Sequence, residues 1–321
     1  MTIYILRRLV VLVVSLVLAS IVIFALLRLL PGDPANALLG VGATDAQISA
    51  ARAQVGSDQS IWQQFGIFLR QLVTFDFGRS FISNLPIGPE ITARLVVTLP
   101  LTLLSFVLAV IIAVPLGIIA ATKSSRWYGA TISAASQLGI AIPVFWVGIL
   151  LISWLALSAH LLPSGGFPRD DWKDPAAALR SLTLPVLTIA IVMSASLLRY
   201  VRSATLDVLG SDYLRTFRSL GGSFSGTLVR HGLRNGAVPV IAILGIELAT
   251  TFLGAVVVES VFTLPGLGSM LVLGISQHDY PAVQGVLFVS TLFVLLVGFG
   301  ADIAQRLVDP RLRDTVSGNR P

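Results

Sequence analysis

Groups able to hold a phosphate, a proton or a metal are few in this sequence. The only lysines are Lys123, preceded by Thr122, and Lys173, preceded by Trp172. Neither completes G-x-x-x-x-G-K-[ST], the loop whose backbone N–H groups and lysine cradle nucleotide phosphates, so the chain does not bind ATP in that way. His160, His231 and His278 are far apart and form no H-E-x-x-H zinc pair. There is no cysteine, which removes disulfides, thiolate metal sites and thiol nucleophiles together. Gly221-Gly222-Ser223-Phe224-Ser225 falls one glycine short of a G-x-S-x-G nucleophile elbow, and no strand precedes it. The expectation is a non-enzymatic chain with no catalytic, cofactor-binding or metal-ligating residues.

Two acids stand where acids are costly. Glu247 lies well inside an apolar run, in Gly245-Ile246-Glu247-Leu248, and Glu259 closes the same run in Val257-Val258-Glu259-Ser260. An ionised group in hydrocarbon costs several kcal/mol, so each must face a cavity, a partner helix or a counter-charge. Two readings fit Glu247 equally: a polar contact in a substrate path, or a hydrogen-bonded group between helices. Glu259, at the end of its run, reads as an interface-level capping or loop contact.

The elements that hold these residues follow from composition. The chain has 321 residues, 55% hydrophobic and only 12% charged, with a mean hydropathy of +0.87. A soluble domain carries about 25% charged residues, so the excess apolar surface belongs in lipid. Six stretches are long enough to cross the bilayer: 9–30, 96–121, 131–157, 183–201, 237–260 and 283–307. The expected class is an all-α membrane protein of about six transmembrane helices. Pro100, Pro115, Pro143, Pro185 and Pro239 fall in or beside these runs. Each marks either a kink along a path, for which Pro143 is the candidate, or a helix end, the reading favoured for Pro185 and Pro239. The first run exceeds a signal-peptide core and has no small-residue cleavage site, so it reads as an uncleaved helix. Arg28 near its far end can snorkel to the headgroups.

Charge sets the orientation. With the N-terminus inside, 14 of the 22 Lys and Arg residues fall on the cytoplasmic side, and five of the other eight lie in or beside one long loop that counts little. Both termini are expected in the cytoplasm, and the net charge of +6 is then orientation rather than nucleic-acid binding. The expected layout is a tail and first helix over 1–30, an extracytoplasmic region over 31–95 with helical patterning around 45–73, a five-helix core over 96–308 and a cytoplasmic tail over 309–321.

Within the core, residues 202–236 form an internal loop long enough to be functional. Its 203–220 portion alternates Leu206, Leu209, Tyr213, Leu214, Phe217 and Leu220 with Asp207, Asp212, Arg215 and Arg218, an amphipathic helix that Gly221-Gly222 breaks. Such a helix either rests on headgroups or inserts into a groove of a cytoplasmic partner; spacing does not separate the two.

The residues of this loop, Asp212-Tyr213-Leu214-Arg215-Thr216-Phe217-Arg218-Ser219-Leu220-Gly221 and then Arg230-His231-Gly232-Leu233-Arg234-Asn235 and Pro239, resemble the EAA loop of bacterial ABC-importer permeases. More narrowly they are similar to the dipeptide/oligopeptide (peptide/nickel) permease family, first-permease type, whose usual form is DYxRTARAKG…RHALRNAxxP. Other blocks agree in order: Tyr4-Ile5-Leu6-Arg7-Arg8, Leu29-Leu30-Pro31-Gly32-Asp33-Pro34, Asp76-Phe77-Gly78-Arg79-Ser80, Thr98-Leu99-Pro100-Leu101-Thr102, Glu259-Ser260-Val261-Phe262 with Pro265-Gly266-Leu267-Gly268, Asp279-Tyr280-Pro281, and Asp309-Pro310-Arg311-Leu312-Arg313. Phe217 stands where Ala is usual, Gly232 replaces Ala, His278 stands where Arg is common, and Gln305 where Tyr is frequent.

The resemblance implies a type I ABC-importer permease fold in the inner membrane of a bacterium. Asp212, Tyr213, Arg215, Thr216, Phe217, Arg218, Gly221, His231, Arg234 and Asn235 would form the loop that docks on an ATPase. Pro265, Gly266 and Gly268, with the outer region, would meet a solute receptor or the partner permease. The implied partners are a second homologous permease, two ATP-binding subunits and an extracytoplasmic substrate-binding protein, with ATP and magnesium confined to the ATPases. The cargo would be di- or oligopeptides, with a nickel complex or glutathione as alternatives. A self-sufficient secondary transporter would show more buried ionisable groups and paired broken helices.

Overall fold

The computed structural model describes residues 2–29, 44–55, 58–212 and 233–308, with the isolated positions 216, 219 and 226. Ten α-helices account for most of the described residues. They are α1 (Thr2–Leu29), α2 (Asp45–Val55), α3 (Ile61–Thr74), α4 (Ile87–Thr122), α5 (Trp127–Ala141), α6 (Val144–Leu151), α7 (Pro175–Leu209), α8 (Leu233–Val261), α9 (Leu267–Ser276) and α10 (Tyr280–Val308). Five of them, α1, α4, α7, α8 and α10, are long and apolar enough to cross a membrane.

The third expected span, 131–157, is not one rod. It divides into α5 and α6, bent by 101° at Pro143. Ile142 is driven to extended backbone (φ −88, ψ 126), as the residue before a proline usually is. Pro143 (φ −64, ψ 138) then starts a new helix. Beyond Leu151 the chain widens into a π-helical turn over Ile152–Ser158.

The fourth span is longer than its apolar core. Asp174 accepts hydrogen bonds from the N–H groups of Ala176 and Ala177, both at 3.1 Å, and Pro175 occupies the first helical position, a strong start signal. The helix runs on to Leu209, so residues 203–209 extend the span rather than open a separate amphipathic helix. Pro185 and Pro239 are thereby interior to α7 and α8 rather than at their starts.

The core centres on α4 and α7, the most extensive helix pair. Fully buried Ala109, Ala113, Ala120 and Ala190 line their contact, small side chains that let membrane helices approach closely. A Cβ at Gly117 would lie 2.8 Å from Val201. A second cluster joins Phe24 of α1, Phe68 and Leu72 of α3, and Phe252, Met270 and Phe288 of α8, α9 and α10.

The contacts sort the molecule into two ends. At one, Arg8 pairs with Asp302 at 2.9 Å, the Arg306 guanidinium stacks on Tyr4 at 4.0 Å, and the start of α8 meets the end of α7. At the other lie Arg28, α3, the 159–174 loop and α9.

Candidate functional site

Among the described residues the most deeply buried charged side chain is Glu259, 0% exposed in the last turn of α8. One carboxylate oxygen, Oε1, accepts from the Thr98 hydroxyl of α4 at 2.6 Å. The other accepts the N–H groups of Gly268 at 2.7 Å and Ser269 at 3.2 Å. Thr98 Oγ1 in turn accepts the Leu267 N–H at 2.9 Å. Three first-turn N–H groups of α9 are therefore satisfied by side chains from α8 and α4, where the N-cap residue, Gly266, has none to offer. A carboxylate at a helix N-terminus also meets the positive end of the helix dipole.

The spacing of Pro265-Gly266-Leu267-Gly268 now has a local cause. A Cβ on Gly266 would lie 2.1 Å from Glu259 Oε1, and one on Gly268 would lie 2.3 Å from the Val256 Cα. Both glycines are buried, whereas Pro265 is exposed. Sequence reasoning gave Glu259 a capping contact but missed α9, whose ten residues are too short for a span.

Two further ties brace this end. The Trp172 indole N–H donates to the Val96 carbonyl at 2.9 Å. That carbonyl lies four residues before Pro100, which has no N–H to offer it. The Gly166 N–H donates to the Phe262 carbonyl at 2.8 Å, holding the 159–174 loop against the α8–α9 turn. The loop and the start of α7 enclose an open cleft of about 660 Å³ that includes His160, Phe167, Arg180 and Ser181.

Asp279, at the α9–α10 corner, is 5% exposed. It accepts from the Ser80 hydroxyl and from the Phe81 N–H at 3.1 Å. Ser80 Oγ accepts the Ile82 and Ser83 N–H groups at 3.1 and 3.0 Å. The Asp76–Ser80 and Asp279–Pro281 blocks, 199 residues apart at their Ser80–Asp279 bond, thus form one joint, which pattern reading did not bring together.

Glu247 accepts from the Ser196 hydroxyl of α7 at 2.7 Å. It is half-buried, and among the described residues only this one side chain donates to its carboxylate. Pro143 lies exposed at the α5–α6 break.

Of the loop residues, Asp212 sits just beyond α7, and the Thr216 hydroxyl donates to its carbonyl at 3.1 Å. Tyr213, Arg215, Phe217, Arg218, Gly221 and His231 lie outside the described residues, and Arg234 and Asn235 are described only as backbone in the first turn of α8. The two ends of the loop do meet: a Cβ on Gly236 would lie 3.1 Å from Val208 and 3.6 Å from the Ala204 carbonyl.

Two family models match the chain. "Binding-protein-dependent transport system inner membrane component" covers residues 113–314, and the N-terminal model of the same system covers 1–103. The glutathione transport system permease protein GsiC of Escherichia coli (strain K12) is 35% identical over 310 residues, 97% of this chain and 98% of that protein. A protein of Brucella abortus (strain 2308), named as a candidate peptide transport system permease, is 37% identical over 315 residues, 98% of this chain and 99% of that one. Among solved structures, the inward-facing MetNI methionine ABC transporter aligns with a TM-score of 0.57 at 17% identity, over 68% of this chain and 96% of its own. At that identity the likeness is one of fold.

Proposed function

This chain belongs to the binding-protein-dependent transport system inner-membrane family, and on that premise we propose that it forms half of the path by which small peptides cross the membrane. Its class is a multi-pass permease subunit of an ABC importer with the type I fold, in a bacterial inner membrane, working with ATPase and substrate-binding partners. In our reading the other half of the path is a second, homologous permease, ATP and magnesium are held by two ATP-binding subunits, and this chain hydrolyses nothing.

The cargo proposal is carried by one observation: the full-length relatives are named for glutathione, itself a tripeptide, and for peptides. We place the end bearing Arg8, Lys123, Arg126, Arg202, Arg306 and the 210–235 loop in the cytoplasm, since basic residues gather there. The loop then docks on an ATPase through Asp212, Arg215, Phe217 and Arg218. ATP-driven closure moves it, and because its ends abut at Val208 and Gly236, the push reaches α7 and α8 together. Alternating access follows from a rigid-body change of that pair. Glu247 and the break at Pro143 are our candidates for the walls of the path, and exposed Pro265 for a receptor or partner-permease contact.

The test is uptake by cells lacking other peptide importers and expressing the complete system. Accumulation of labelled di- and tripeptides, lost when this chain is deleted, is expected. Peptides and glutathione both ignored, with another solute accumulated, would overturn the cargo and leave the class standing.

A further inference from the structure

Helix α3 is wider in its apolar face than the protein covers. At 100° per residue, Phe68, Leu72, Phe65, Leu69, Trp62 and Val73 fall on one arc of roughly 140°, and Gln63, Arg70 and Thr74 fall opposite. One edge of the arc is packed. Phe65 and Phe68 stand 5.2 and 5.7 Å from the Phe24 ring of α1, and Phe68 and Leu72 are buried. The other edge is bare, with Trp62 80% and Val73 82% exposed. Ile67 is the one apolar residue on the polar side.

Depth comes from α1. Arg28, in the last turn, is the first charge after Arg8 and marks where that span ends; its guanidinium lies over the Phe24 ring at 5.2 Å, a cation–π contact. Phe24 lies one helical turn inside it, about 6 Å at 1.5 Å per residue. Interfacial helices sink their apolar faces roughly 5–10 Å into the headgroup–acyl boundary, and α3 packs at that depth. Over the same turns α1 itself leaves Ile21, Val22 and Leu26 exposed, apolar surface of the kind a span presents to lipid. The helix is also held in place. A Ser60–Gln63 capping box fixes its start, and the segment after it is tied to Asp279 through Ser80.

We propose that α3 is an interfacial helix, lying in the leaflet at the C-terminal end of α1 with Trp62, Leu69 and Val73 in lipid and Gln63 and Arg70 in water. The bare edge is thus a lipid surface and not a protein-docking face.

The absence of cysteine makes the test direct. Trp62→Cys, Val73→Cys, Gln63→Cys and Arg70→Cys, each spin-labelled in the full chain with its partner subunits in liposomes, are compared for collision with oxygen, which partitions into lipid, and with a water-soluble nickel chelate. All four positions are exposed, so no substitution removes a core contact; Gln63→Cys does open the capping box, so Arg70→Cys is the reference on the water edge, and Leu69→Cys gives a third reading on the lipid edge. Oxygen-to-nickel ratios several-fold higher at 62, 69 and 73 than at 63 and 70 are expected. Equal nickel access around the helix would overturn the proposal in favour of a water-facing surface. Shielding of 62 and 73 from both reagents would overturn it in favour of a protein partner.

Discussion

Two glutamates within one helix show how partners decide what an acid does. Glu259 has a donor for each oxygen, Thr98 on one and two α9 N–H groups on the other, and its burial is thereby matched. Glutamine keeps the shape but turns an NH2 toward either a hydroxyl already donating or two N–H groups. Glu259→Gln should therefore lower stability by about 2 kcal/mol or more, read as a depressed unfolding midpoint of the purified chain; a midpoint unchanged from wild type would remove the capping role. Glu247 differs, because Ser196 donates to one oxygen and an amide oxygen accepts that bond as well. Glu247→Gln should leave the midpoint within about 0.5 kcal/mol of wild type while changing the rate or half-saturation of uptake. Unaltered kinetics would leave it an interhelical tie alone. The sequence exposed both acids as groups in need of partners, and the end-of-run position of Glu259 pointed to a cap. It could not supply Thr98, 161 residues away, because that pairing exists only once α4 lies beside α8.

At the scale of elements, apolar length located the spans, and proline chemistry explains where they depart from straight rods. Hydropathy averages over Pro143 and reports one segment, whereas the missing N–H and the extended Ile142 turn the chain by 101°. The start of α7 was hidden for the opposite reason: Arg180 and Ser181 dilute the apolar signal although Asp174-Pro175 already marks the helix start. Pro100 is the case that can be measured. Its ring leaves the Val96 carbonyl without a helical donor, and Trp172 supplies one at 2.9 Å. Trp172→Phe should cost about 1 kcal/mol through that bond, beyond any loss of packing. Pro100→Ala restores the backbone N–H, so adding it to Trp172→Phe should recover the hydrogen-bond share. A double-mutant cycle of unfolding free energies reads this as coupling, and strictly additive values would show that the indole does not serve the carbonyl that Pro100 frees.

For the whole molecule, the arrangement of ends decides what the 210–235 loop can transmit. The 159–174 loop, α4, α8 and α9 are locked to one another at the far end by Trp172, Thr98 and Glu259. At the near end α7 and α8 meet at Val208 and Gly236, where the loop leaves and returns. A displacement of the loop therefore enters two helices that run the length of the protein, and one of them, α8, carries Glu247 midway and Glu259 at its far end. The sequence disclosed the loop, since composition and spacing are local, while the break expected at Gly221-Gly222 lies outside the described residues; the meeting of the loop's ends is a tertiary fact and was not readable there. In the proposed mechanism Gly221 lets the chain turn sharply after the docked helix, a role open to a residue free of a Cβ. Gly221→Trp should then leave the chain inserted and recovered with its partners in mild detergent, yet abolish ATP-driven uptake. The same variant should break the dependence of ATPase rate on the receptor, because the loop is the only link proposed between the two. Uptake at the wild-type rate would sink the coupling assignment, whereas loss of the ATPases on purification would make Gly221 part of the docking surface itself.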